Sequence, residues 1–157
     1  CYLSGHKVDE AVELYRAYNR EKHNDYFTLY PHESEVLKKL HEEGIKMAIV
    51  TTKYKDAAVY GLKCADLDQY FDVVIGSDEV THGKPHPEAL RVALSHLNAT
   101  KGYMIGDNVT DIQAGKNAGI GTIGVTWSLK GTQFLLEEHP DYMMESYDDL
   151  YQYLERM

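Results

Sequence analysis

Asp107 and Asp111 stand four residues apart in the stretch KGYMIGDNVTD, directly after an apolar run that ends in Gly106. Tyr103, Met104 and Ile105 read as a short buried strand, and Gly106 lets the chain turn as it leaves that strand. Both carboxylates then fall at the strand's C-terminal end, where open parallel sheets hold their ligands. If Asp111 opens the following helix, the two acids face one small volume beside helix amides. Such a volume suits a hard cation on oxygen ligands and, through it, a phosphate. The competing reading is an Asx turn followed by an Asp cap. Two further groups bear on that choice. The run IKMAIV stops at Thr51 and Thr52, whose hydroxyls and amides are suited to holding an anion. Lys84 lies between Gly83 and Pro85; the glycine permits a tight approach and the proline keeps Lys84 extended, so its ammonium can be aimed at a fixed place. A hydroxyl, an ammonium and a carboxylate pair are what a phosphoryl group needs for its charge to be neutralised in a transition state.

The elements that must position these groups follow from periodicity. Val8, Ala11, Val12, Tyr15 and Tyr18 recur at helical spacing, and REKHNDYFTLYPH then leads through Pro31 to a more regular pattern. Ser34 is a candidate cap for a helix carrying Val36, Leu37 and Leu40, which Gly44 ends. A buried strand is expected at 45–50, a helix at 56–62 and a second apolar strand at 71–76, FDVVIG. Pro87 sits where the next helix starts, with Ala89, Leu90, Ala93, Leu94 and Leu97 on its inner stripe. After the Asp pair, small residues around Gly115 let a helix pack closely, and Gly119 ends it before a strand at 120–125. Gly121 and Gly124 suggest that this strand is an edge or strongly twisted. Trp127 is expected at the rim, followed by a short helix at 131–138, an edge strand at 141–144 and a last helix at 146–154. The alternation predicts an α/β fold with about four parallel strands covered by helices, a Rossmann-like core. His23, His32, His82 and His86 are read as surface or cap residues; a metal pair at 82 and 86 would need a helix, and two prolines interrupt the segment.

Composition narrows the partners. The 157 residues are 43% hydrophobic and 26% charged, with 16 basic against 25 acidic side chains and a net charge of -9. No basic patch stands out, so nucleic acid is not an expected partner. Cys1 and Cys64 form neither a disulfide framework nor a metal cluster, and no run approaches transmembrane length, which together favour a cytoplasmic setting away from the membrane.

The order of these motifs resembles the haloacid dehalogenase superfamily, and within it the phosphoglycolate phosphatase and PpaX-type pyrophosphatase group. The second family motif, an apolar strand ending in Ser or Thr, corresponds to IKMAIVT at Thr51. The third, a lysine often followed by Pro, corresponds to GKPHP at Lys84, and the fourth to GDNVTD at Asp107 and Asp111. The resemblance spans about residues 31 to 145. It implies that Thr51, Thr52 and Lys84 hold the phosphoryl oxygens, that Asp107 is a Mg2+ ligand and that Asp111 completes or supports the metal site. It also implies a small phosphorylated metabolite or pyrophosphate as substrate. Residues 1–30 would be the tail of a helical cap domain and 31–157 the α/β core. The first motif, two aspartates two apart at the end of the first strand, supplies the nucleophile and has no counterpart here. The sequence is therefore expected to begin inside the cap, to be inactive alone, and to leave a central slot between the strands ending at Thr51 and Gly106, filled by a missing N-terminal segment or a partner chain. A non-catalytic scaffold with the same sheet is the alternative; a receiver-type domain is disfavoured because Thr and Lys precede the Asp pair.

Overall fold

The computed structural model describes residues 29–128 and 131–156. The amphipathic helix expected near Val8 to Tyr18, the cap tail and His23 lie outside these residues. The first described helix, α1 (Glu33–Glu42), buries Val36, Leu37 and Leu40. Its N-cap is His32, with φ 61, and not Ser34, which lies inside the helix. The first helical turn closes on His32, whose carbonyl accepts the Val36 N–H at 3.0 Å, while Glu33 reaches back to accept the Tyr30 N–H at 3.0 Å and fixes the entering chain.

β1 (Ala48–Val50) follows, then α2 (Lys55–Cys64) and β2 (Val73–Ile75). Both strands are shorter than their apolar runs. Asp72 explains one boundary: its carboxylate accepts the Met47 amide at 3.0 Å and the Lys46 ammonium at 2.8 Å, so a side chain occupies the place of ladder bonds before β1. Helix α2 begins ahead of Asp56 because the Asp78 carboxylate accepts the Lys55 N–H at 2.8 Å, a cap supplied from a distant loop.

α3 (Glu88–His96) starts after Pro87, and β3 (Tyr103–Gly106), α4 (Val109–Ala118) and β4 (Gly121–Val125) follow as a βαβ unit. α5 (Thr132–Glu137), β5 (Tyr142–Met144) and α6 (Tyr147–Glu155) complete the described chain. Among the described residues every strand pairing is parallel, but the five strands form two sheets, β1-β2 and β3-β4-β5. β4 is thus the centre of its sheet and not an edge. Its glycines have another cause: a side chain at Gly121 would collide with the Tyr103 ring, and one at Gly124 with Met143.

β1 and β3 do not pair with one another. Asp72 N–H donates to the Met47 carbonyl and Thr51 N–H to that of Ile75, so by ladder alternation Ala48 and Val50 turn their backbone groups away from β2, toward β3. Helices cover both faces of this gap. On one side Val50 packs with Ala89 and Ala93 and also with Leu90 and Met104, so α3 straddles the two sheets. On the other, Met47 and Leu154 pack against the cluster of Val36, Leu40 and Tyr151, where α1 meets α6. The expectation of a buried first strand fails because β1 has no partner on its β3 side: β1 is half-buried, Ile45 is 45% exposed and Ile105 is 39% exposed. Among the described residues no helix is long and apolar enough to cross a membrane.

Candidate active site

The site gathers at the C-terminal ends of β1 and β3. Lys84 is its centre. Its ammonium donates to the Val50 carbonyl at 3.0 Å and lies 2.6 Å from Asp111 Oδ1, with side chains only 10% and 7% exposed. One lysine thereby satisfies the last carbonyl of the open edge of β1 and joins it to the helix behind β3. Val50 is the last residue of β1, so the ammonium also lies one residue from Thr51.

Asp111 is held from two sides. Helix α4 is capped by Asn108, whose side chain accepts the Thr110 N–H, and Asp111, at the third helical position, accepts the Asn108 N–H through Oδ2 at 3.1 Å. It therefore does not open the helix; it closes a capping box, with its other oxygen on Lys84. Gly106 makes the approach possible, because a β-carbon there would overlap the Asp111 carboxylate. Gly83, by contrast, has open space around it, so no tight approach accounts for that glycine.

Asp107 is different in kind. It is exposed, and among the described residues its carboxylate has no hydrogen-bond or ion-pair partner, while its carbonyl accepts the Ser128 hydroxyl at 2.7 Å. An unshared carboxylate oxygen pair at a strand end is a hard donor set that fits Mg2+. Beside it is a hollow of about 450 Å3 lined by Asp107, Asn108, Ser128, Phe134 and Leu135, among others. Thr51 is half-buried and its hydroxyl accepts the Lys53 N–H at 3.1 Å, which fixes the turn after β1; Thr52 is exposed. Asn108 and Ser128 were not foreseen from spacing. The Asn108 cap was readable from the Asn-x-x-Asp pattern, whereas Ser128 lies 21 residues from Asp107 in the chain, with no local signal.

An Asp-x-Asp pair is present at Asp66 and Asp68, in the turn and short 3-10 helix that precede β2. Since β2 runs parallel to β1, these acids sit toward the opposite, N-terminal end of the strands from Thr51. Among the described residues no aspartate occupies the slot between β1 and β3.

Comparison with known proteins finds a matching family and close relatives. The family described as haloacid dehalogenase-like hydrolase matches residues 2–125. A pyrophosphatase PpaX of Bacillus velezensis is 44% identical over 150 residues, covering 94% of this chain and 69% of that protein. A pyrophosphatase PpaX of Listeria monocytogenes is 47% identical over 145 residues, covering 91% and 67%. Among solved structures, a haloacid dehalogenase-like family hydrolase from Streptococcus pneumoniae superposes with a TM-score of 0.79 at 26% identity, covering 97% of this chain and 72% of that one.

Proposed function

The chain belongs to the haloacid dehalogenase-like hydrolases, in their PpaX-type group, and from that membership we propose that it works as a Mg2+-dependent hydrolase of a small phosphate ester or pyrophosphate. The observation that carries this is the Lys84 ammonium, buried at two strand ends between the Val50 carbonyl and Asp111. The two contacts leave one proton of the ammonium free to donate to a phosphoryl oxygen, and the hydroxyl and amides at Thr51 and Thr52 flank it. Asp111 acts through Lys84: it fixes the ammonium's position.

Asp107 would hold the metal, with Asp111 in support. When bound, Mg2+ neutralises charge on the phosphoryl oxygens. The attacking group belongs in the slot between β1 and β3, on a strand supplied by a further segment or a partner chain. There an aspartate would form an aspartyl-phosphate, releasing the alcohol or phosphate, and water would then hydrolyse it. Residues 1–30 fit a cap tail over a core of 31–157, in a cytoplasmic enzyme. Without an attacking carboxylate the 157 residues would bind phosphate and not cleave it, which is also what a scaffold protein would do.

Pyrophosphate and aryl phosphate hydrolysis by the complete enzyme, with and without EDTA, tests the proposal. Loss of turnover on chelation and in Asp107→Ala is expected. Activity indifferent to both would refute the metal-dependent reading.

A further inference from the structure

His82, His86 and Glu88 flank Lys84 on the loop leading into α3, and one ligand atom from each lies within 4.8 Å of the others. The sequence argued against a metal pair here, because two imidazoles four residues apart meet most readily on a helix. The loop instead folds back on itself and brings the ring centroids to 4.5 Å. Glu88 is the fixed point. Its carboxylate accepts the Thr81 and His82 N–H groups at 2.8 and 3.0 Å, and its Oε2 lies 2.9 Å from His82 Nδ1 and 3.8 Å from His86 Nδ1.

We propose that His82, His86 and Glu88 form a binding site for a borderline transition-metal ion of the Zn2+ class, separate from the hard-cation position at Asp107. Two imidazole nitrogens and a carboxylate oxygen are the donor set that selects Zn2+, Ni2+ or Cu2+ over Mg2+. Bond lengths of about 2.0–2.2 Å place the ligand atoms roughly 3.4 Å apart in a tetrahedral site, so the His82–Glu88 pair at 2.9 Å opens slightly and the His86–Glu88 pair at 3.8 Å closes. The histidine side chains, 62% and 48% exposed, can swing that distance without disturbing packing, while Glu88 stays anchored. The imidazoles line a hollow of about 620 Å3 together with Pro85, Pro87 and Asn117, leaving a fourth coordination position for water. Asn117 donates to the Pro85 carbonyl at 2.9 Å, so the loop is already tied to α4. An ion bound here clamps the segment that carries Lys84.

Co2+ titration of the tag-free protein, read from its visible ligand-field bands, reports this site without reference to turnover. One equivalent should bind saturably, be displaced by Zn2+ and resist millimolar Mg2+. His82→Ala and His86→Ala should each weaken binding by more than about tenfold. Zn2+ should raise the melting temperature of the parent protein and leave that of His82→Ala unchanged. Absence of a saturable band, or binding unaltered in both histidine variants, would overturn the proposal.

Discussion

Lys84 and Asp111 illustrate how a buried ion pair can serve geometry more than stability. Each would be costly alone in so enclosed a place, and together they hold an ammonium at the strand ends. Lys84→Met leaves the Asp111 carboxylate without its partner and is expected to cost about 3–5 kcal/mol. Asp111→Asn in that background should recover part of the loss, since the amide oxygen can still accept the Asn108 N–H; urea denaturation midpoints of the single and double variants test this. Gly106→Ala makes a sharper demand, because the added methyl occupies the space of the Asp111 carboxylate. It should destabilise by about 1–3 kcal/mol and lower kcat by about a hundredfold through the displaced lysine. Equal kcat in Gly106→Ala and the parent would show that the position of Asp111 does not matter to turnover.

At the scale of elements, the boundaries that sequence periodicity missed were set by single side chains reaching across from other segments. Asp72 ends the ladder before β1, Asp78 starts α2, and Asp111 closes the cap of α4 from inside the helix. The βαβ alternation, the inner faces of α1 and α3 and the end of α4 at Gly119 follow directly from apolar spacing and turn chemistry. The convergence of Thr51, Lys84 and Asp111 could be anticipated from motif order, but its agent could not: the lysine bonds a main-chain carbonyl 34 residues away. His82 and His86 are exposed loop residues, as expected, but the loop doubles back and brings their rings together, which spacing alone does not encode. Asp72 also gives a pH signature. Its hydrogen bonds to the Lys46 ammonium and then the Met47 amide hold its carboxyl below the usual carboxylate range. A lowered folded-state pKa contributes stability that is full above the unfolded value of about 3.9 and is lost as pH falls through the folded value. The difference in melting temperature between the parent and Asp72→Asn should therefore be constant near neutrality and shrink below about pH 4. A difference that instead grows on acidification would rule out this role for Asp72.

At the scale of the molecule, the described residues form two parallel sheets held by α3 on one face and by the contact of α1 with α6 on the other, with Lys84 closing the end. If a strand fills the slot in the active enzyme, the amides of Ala48, Val50 and Ile105 become ladder donors and should exchange with solvent as slowly as those of β4. Fast exchange at these positions in an enzyme that turns over substrate would show that catalysis needs no added strand.

The helical cover on both faces of the slot has a kinetic corollary. A strand can join an exposed sheet edge from solution, but it cannot enter between two packed helical layers without parting them. A complementing peptide should therefore restore activity readily when present during refolding from denaturant. Added to the folded protein, it should act no faster than the layers themselves open, at a rate independent of peptide concentration once opening is limiting. Assembly order, more than affinity, would then decide whether the enzyme is made.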